Sequence, residues 1–178
     1  MQITLDKNIL LCGGSGENRL DLLKKIIRSI SPNKRLMLID INKVDLYDFD
    51  DFPNLYHNKT YRDTFNAIVI MEELKNKTST TIVVGELNYL YCYDKVRVKT
   101  ILKDHIKSNS ANFICATYRT DYSILDEQTI NYFDYIICFK MADLDDQIRI
   151  LGRTYPEQKE FECIVLDNKT KEQLWLKL

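Results

Sequence analysis

The sequence of residues 9–18 is Ile-Leu-Leu-Cys-Gly-Gly-Ser-Gly-Glu-Asn, an apolar run that ends in three glycines within four positions. The whole chain of 178 residues holds only five glycines, so this one turn contains most of them. Apolar side chains at helical spacing follow it as far as Ile30, which predicts a helix over Asn18–Ile30. The stretch therefore predicts a buried strand over Asn8–Cys12, a tight turn and a helix, the opening unit of an α/β domain.

Strand-like and helix-like segments continue to alternate along the chain. Further strands are predicted at Arg35–Ile41, Thr80–Val84, Asn112–Thr117 and Tyr135–Phe139. Helices are predicted at Tyr61–Lys75, Asp94–Ile106, Ser123–Tyr132 and Asp143–Leu151. The segment Glu160–Leu178 contains two short strand-like runs around Asp167, which predicts a C-terminal β-hairpin. This order indicates one α/β domain over residues 1–178, a mainly parallel sheet with helices on both faces.

Charge and composition exclude several function classes. The formal net charge is −1, so no overall basic field attracts DNA, and nucleic acid is not an expected partner. The two histidines are far apart and no Cys-x-x-Cys pair exists, so no metal site is predicted. No signal peptide and no apolar run of membrane-spanning length is present, so no direct membrane contact is expected from this segment.

The five cysteines occur singly, and four of them lie inside apolar, strand-like runs. We expect buried, reduced thiols in a reducing compartment. A redox or nucleophilic role is the alternative, but no histidine neighbours any of the five.

The glycine turn lies where a strand passes into a helix, a position suited to anion binding. The N–H groups of such a turn converge on an anion, and the helix N-terminus adds partial positive charge. In a phosphate-binding loop of eight residues, lysine and Ser/Thr end the pattern and contact the phosphates and magnesium. Glu17 and Asn18 occupy those positions here, and Leu11 replaces the first glycine. ATP binding is therefore expected to be weak, and magnesium binding is doubtful.

The candidate nucleotide-binding residues are Gly13, Gly14, Ser15, Gly16, Glu17, Asn18 and Arg19. A purely structural role for the turn, with Asn18 as the helix N-cap, is the alternative.

A second motif stands at the end of the strand Thr80–Val84. Four apolar residues followed by Asp-Glu form the pattern in which Asp positions magnesium and Glu polarises the attacking water. Gly85 holds the Asp position here and Glu86 remains, as a vestigial catalytic residue. Both magnesium-holding side chains are thus replaced, at Asn18 and Gly85, and the chain is not expected to be an active ATPase.

Together these segments resemble the motor domain of the FtsK/SpoIIIE family, and the resemblance implies a P-loop NTPase fold of RecA/FtsK-like topology. The similarity covers residues 8–153 in the order 9–22, 36–56, 82–91, 113–120 and 134–152. Arg119 matches an arginine of the family's sensor strand, whereas Tyr118 replaces the glutamine there. Arg119 could contact a phosphate, or could form a salt bridge with Glu17 or Glu86.

The replaced motif residues point to one branch of this family, the type VII secretion (EssC/EccC-like) proteins. The chain most resembles their C-terminal ATPase domains, which are often degenerate. The resemblance implies a pseudo-ATPase that binds a secreted WXG100-like substrate or adjacent ATPase domains. It implies a cytoplasmic location, as the cytosolic part of a membrane-anchored protein. The alternative is a weak ATP-binding, FtsK-like DNA translocase domain. Tyr89, Tyr91 and Tyr93 follow Glu86 and could bind a base or a peptide, or pack under a loop.

Overall fold

The computed structural model describes residues 3–14, 16–41, 46–49, 52, 55–74 and 80–178, so Ser15 of the glycine turn lies outside the described part. The strands are β1 Ile9–Cys12, β2 Arg35–Ile39, β3 Leu55–Tyr61, β4 Thr80–Val84, β5 Ala111–Thr117, β6 Tyr135–Phe139, β7 Glu162–Asp167 and β8 Gln173–Lys177. The helices are α1 Gly16–Ser29, α2 Thr64–Glu73, α3 Leu87–Ser108, α4 Glu127–Ile130 and α5 Leu144–Leu151.

The strands form one mixed sheet in the order β3-β2-β4-β5-β1-β6-β7-β8. The six strands from β3 to β6 in that order pair in parallel, and β7 and β8 pair antiparallel at the end of the sheet. The predicted fold class, a mainly parallel sheet with a C-terminal hairpin, is confirmed. The carboxyl ends of β4, β5, β1 and β6 lie side by side, which is where such sheets bind ligands.

Helices cover both faces of the sheet. Leu23, Ile26 and Ile27 of α1 pack against one face, together with Ile9 and Leu11 of β1. The helices α2, α3, α4 and α5 pack against the other face, where the buried side chains include Leu10 and Cys12. Because β1 is buried on both sides, all four of its residues are apolar, as expected for a central parallel strand.

Four of the five cysteines are buried and Cys92 is exposed, and all five are free thiols. The Cys12 and Cys138 sulfurs lie 3.5 Å apart on neighbouring strands. Burial raises the pKa of Cys115, and raises that of Cys163 to about 11. The prediction of buried thiols is confirmed for these four and is wrong for Cys92.

One strand was missed, and several predicted helix boundaries were wrong. The strand β3 was not predicted, and Tyr61 ends that strand instead of starting a helix. The α2 helix begins after Asp63, whose side chain accepts a hydrogen bond from the Asn66 N–H. The predicted helix Ser123–Tyr132 contracts to Glu127–Ile130, because Asp126 caps it at that point through the Thr129 N–H.

The helix predicted from Asp94 begins at Leu87, capped by Glu86. Asp94 marks an interruption within it, with non-helical φ −156° and ψ 84°, and its carboxylate accepts from the Arg97 N–H at 3.0 Å. The predicted helix therefore corresponds to the second part of the longer helix α3. Within the described residues, no helix has both the length and the apolar character needed to cross a bilayer.

Candidate functional site

The glycine turn is held by the ends of the two strands beside β1. The Gly13 N–H donates to the Thr117 carbonyl at the end of β5 (3.2 Å), and the Gly14 N–H donates to the Lys140 carbonyl just after β6 (2.8 Å). Both glycines have positive φ, 76° and 71°, a conformation that side chains disfavour. These two N–H groups therefore bond within the protein.

The same two glycines are required by close packing. A Cβ at Gly14 would lie 2.5 Å from the Phe139 Cβ, and one at Gly13 would lie 2.8 Å from the Met141 Cγ. At Gly16, in contrast, a Cβ would meet nothing within 4 Å. Contact with the end of β6 thus accounts for Gly13 and Gly14 without any ligand.

Arg19, in the first turns of α1, extends beneath the glycine turn and is only 7% exposed. Its Nη1 donates to the Gly13 carbonyl at 2.6 Å and lies 3.5 Å from the Gly14 carbonyl. Its Nη2 lies 3.7 Å from Oε2 of Glu86. Arg19, which follows the phosphate-loop motif without being part of it, is therefore the cation at the centre of this site.

Glu86 is held from several directions at the end of β4. Its Oε2 accepts from the Tyr118 N–H at 3.0 Å, and its Oε1 accepts from the Asn88 N–H at 3.2 Å as the N-cap of α3. Burial raises the pKa of this carboxyl, while the Thr117 side chain, the two N–H groups and Arg19 oppose the shift. Both oxygens of the carboxylate thus accept hydrogen bonds from the protein backbone.

The two residues at the Lys and Ser/Thr positions of the motif differ in their surroundings. Glu17 is exposed at the start of α1. The Asn18 side chain donates from Nδ2 to the Glu160 carbonyl at 2.8 Å, close to the start of β7. Because α1 already begins at Gly16, Asn18 lies inside the helix, and its predicted role as N-cap is wrong.

Gly85, at the position of the magnesium-binding Asp, donates its N–H to the Ile39 carbonyl at the end of β2 (2.9 Å). The neighbouring carboxylate of Asp40 is buried and accepts from the Leu46 N–H. Over the residues that the structure describes, no group of three or more His, Cys, Asp or Glu side chains is arranged to hold a metal ion.

Arg119, predicted as a sensor, lies at the end of β5 with its side chain 39% exposed. Its Nε donates to Asp121 at 2.9 Å, and its Nη1 lies 3.5 Å from Oδ1 of Asn88. Asp121 raises the pKa of the Arg119 guanidinium through this hydrogen bond. The expected alternative, a salt bridge to Glu17 or Glu86, is not formed by Arg119; Arg19 pairs with Glu86 instead.

Two cavities flank the turn and share the half-exposed Tyr118. One, of about 310 Å³, is lined by Glu17, Arg19, Gly85 and Glu86 among others. The other, of about 580 Å³, is lined by Gly13, Gly14, Thr120, Lys140, Asp143 and Glu160 among others. Lys140, which lies 3.8 Å from Glu160, was not predicted as a site residue, although its position just after a strand end could have indicated it.

The three tyrosines after Glu86 point in different directions, because they lie on α3. Tyr91 is buried and its hydroxyl bonds to that of Thr129, whereas Tyr93 is 57% exposed. They therefore do not form one stacking surface beside the turn.

Solved structures share this fold over nearly the whole chain. The conjugation coupling protein TcpA of pCW3, with ATPγS, superposes with a TM-score of 0.80 at 15% identity over 99% of this chain and 62% of its own. EccC of Thermomonospora curvata (ATPases 2 and 3), with a signal sequence peptide, gives 0.72 at 12% identity over 99% of this chain and 38% of its own. The chain thus spans less than two thirds of either protein.

A third likeness covers both chains almost completely. The genome packaging NTPase B204 of Sulfolobus turreted icosahedral virus 2, with AMPPCP, gives a TM-score of 0.70 at 14% identity over 98% of each chain. No family model and no curated protein matches the sequence. At these identities the likenesses establish the fold. The predicted resemblance to FtsK-like ATPase domains, including those of type VII secretion, is confirmed at that level.

Proposed function

We propose that this chain is a pseudo-ATPase module of a type VII secretion motor. It binds a secreted protein or the adjacent ATPase domains, with weak or no ATP hydrolysis. It works at the cytoplasmic side of the membrane, as the cytosolic part of a membrane-anchored protein. Residues 1–178 act as one degenerate FtsK/SpoIIIE-like domain.

One observation supports the loss of hydrolysis: two backbone donors of the glycine turn and the carboxylate of Glu86 are already bonded to protein. The Gly13 and Gly14 N–H groups donate to strand-end carbonyls, and Glu86 accepts from two backbone N–H groups beside Arg19. Glu17 puts a negative charge where a cation would contact phosphate. Binding ATP in the usual way would require breaking these bonds.

The fold neighbours support a protein partner. The EccC structure, with TM-score 0.72, comprises ATPases 2 and 3 in complex with a signal sequence peptide. The EssC structure of Geobacillus thermodenitrificans likewise contains ATPases 2 and 3. A domain of this fold with a self-bonded site fits a binding role beside working motor domains.

Weak nucleotide binding remains the second candidate, on the strength of the cavity of about 580 Å³. It offers the Lys140 ammonium and the Thr120 hydroxyl beside the glycine turn, with Tyr118 at its edge. The TcpA and viral NTPase structures hold nucleotide analogues. A nucleotide in this cavity would contact Lys140 in place of the missing lysine.

The two candidates are separated by calorimetry and by an ATPase assay on the purified chain. We expect no magnesium-dependent turnover, and the same background in wild type and Glu86→Gln. Turnover at motor-like rates, abolished by Glu86→Gln, would overturn the proposal. Heat of ATP binding at millimolar ligand, lost in Lys140→Ala and kept in Lys159→Ala, supports the second candidate.

The partner is tested by titrating a WXG100-type secreted protein, and separately an FtsK-like ATPase domain, into the chain. We expect saturable binding to at least one of them, with little dependence on salt. A salt-sensitive shift of DNA, with neither protein bound, would instead support the translocase alternative.

A further inference from the structure

Two peptide groups of the glycine turn, those of Gly13 and Gly14, turn their N–H groups away from the space beneath the turn and their carbonyl groups toward it. An anion site gathers backbone N–H groups around the ligand. Here the N–H groups of Gly13 and Gly14 point to the ends of β5 and β6. Their carbonyl oxygens face Arg19, at 2.6 and 3.5 Å from Nη1. These carbonyl groups direct the negative ends of their dipoles at the space beneath the turn.

The opposite wall of that space is also negative. Oε2 of Glu86 lies 3.7 Å from Nη2 of Arg19, and the two side chains are only 5% and 8% exposed. The carboxylate cannot turn away easily, because each of its oxygens accepts a backbone N–H, from Asn88 and from Tyr118. Two carbonyls and one fixed carboxylate therefore surround the planar guanidinium.

A guanidinium suits this geometry better than an ammonium does. Its planar, rigid fork presents N–H donors in two directions at once, here to the glycine carbonyls and to the carboxylate. Leaving one member of a buried ion pair without its partner is strongly unfavourable. The pocket thus needs a cation of this shape in order to be stable.

We infer that the pocket beneath the glycine turn is a guanidinium-binding site whose resident ligand is the side chain of Arg19. The site accepts a cation and repels phosphate at the position where related folds bind nucleotide. This inference deepens the proposed function and rests on it for the role of the site. Its test requires no nucleotide.

The experiment is chemical rescue of Arg19→Ala, followed by thermal unfolding. The substitution vacates the space and leaves Glu86 facing two carbonyls, so we expect the Tm to fall by about 10 °C. Methylguanidinium at millimolar concentration then raises the Tm of Arg19→Ala by a few degrees. Methylammonium at the same concentration does not, and neither cation shifts wild type.

The double variant Arg19→Ala/Glu86→Gln and the matched variant Arg28→Ala are the controls. Methylguanidinium should shift neither, because the first lacks the carboxylate and the second keeps Arg19 in place. An Arg19→Ala variant as stable as wild type would overturn the inference. So would an Arg19→Ala variant stabilised by pyrophosphate and not by methylguanidinium.

A measurement on the wild type keeps the inference testable if Arg19→Ala does not fold. In ¹⁵N NMR spectra, a guanidinium held on two sides rotates slowly about Cζ–Nε and gives separate Nη signals. We expect this for Arg19 and not for the exposed Arg35. Averaged Arg19 signals like those of Arg35 would contradict it. If methylguanidinium does not rescue Arg19→Ala and the chain shows no ATP turnover, this inference is wrong and the proposed function stands.

Discussion

At the scale of single residues, the glycine turn shows how one pattern can serve packing instead of ligand binding. Gly13 and Gly14 were predicted correctly as a strand-to-helix turn. Their conformation and their closeness to Phe139 and Met141 are what the fold requires of them. Sequence could not tell these reasons from phosphate binding, because both demand glycine.

Gly14→Ala is expected to destabilise the protein by about 3 kcal/mol, through positive φ and overlap with Phe139. Gly16→Ala is the matched control, since its Cβ meets nothing within 4 Å. It should be neutral, or stabilising by about 0.5 kcal/mol, at the start of a helix. Urea unfolding of both variants measures the difference. Equal losses would show that backbone space at Gly14 is not limiting.

The contacts of the candidate site residues were predicted only in part, since spacing along the chain does not reveal which side chains meet. Arg19 was included as a neighbour of the motif, and its ion pair with Glu86, just after the end of β4, was not foreseen. Arg119 was given that pairing as an alternative, but Asp121, two residues away, holds it instead. Which of these two arginines pairs with Glu86 depends on the direction of α1 beneath the turn.

Glu86→Gln is expected to change how stability depends on pH. Burial raises the pKa of Glu86 in the folded state above its unfolded value of about 4.3. The folded protein therefore binds more protons between these two pKa values, and its unfolding free energy falls as pH rises through that window. The unfolding free energy of wild type minus that of Glu86→Gln should thus decrease from pH 4 upward.

Asp121→Asn is the control for that titration, because the pKa of Asp121 is lowered. Burial opposes this shift, and hydrogen bonds from Ser123 and Arg119 outweigh it. The corresponding wild-type-minus-variant difference should rise with pH, the opposite direction. Parallel pH curves for the two variants would contradict the assignment of a raised pKa to Glu86.

At the scale of elements, prediction succeeded where apolar periodicity was strong and failed where capping set the boundary. The strands β4 and β6 were predicted with their observed bounds, because each is a continuous apolar run. The strand β3 was missed, since Leu-Tyr-His-Asn-Lys-Thr-Tyr is mainly polar and occupies the edge of the sheet. The early start of α3 depends on Glu86 acting as N-cap, a role hidden by the catalytic motif.

Asp126 joins two of these elements, so its charge can be tested separately from its cap. It caps α4 through the Thr129 N–H and forms ion pairs with Lys95 and Lys99 of α3. Asp126→Asn keeps a good N-cap residue but removes the ion pairs, so we expect a loss of about 2 kcal/mol at pH 7.

This loss should shrink in acid. Burial alone would raise the pKa of Asp126, but hydrogen bonds from Lys99, Thr129 and Lys95 lower it. The stabilisation is therefore present above the unfolded pKa of about 3.9 and is lost as pH falls through the folded value. Urea unfolding at pH 7 and at pH 3 measures it. A loss that is unchanged at pH 3 would indicate a role other than charge.

At the scale of the molecule, stability should decline from the centre of the sheet to its C-terminal edge. The strand β1 is buried on both faces and pairs on both sides, whereas β8 pairs on one side only and exposes Leu174 and Trp175. Amide hydrogen exchange should be about a thousandfold slower in β1 than in β8. Equal protection of the two strands would indicate that something covers β8 in solution.

The unequal burial of the cysteines has a practical consequence for all of these measurements. Cys92 alone should react quickly with a maleimide dye in the native state, and all five thiols should react after unfolding, a count that mass spectrometry gives directly. The Cys92 sulfur donates to Asn88, the residue after Leu87 in the helix that Glu86 caps. A fluorophore there would report on the environment of the pocket and on docking of a labelled partner, without any engineered attachment point.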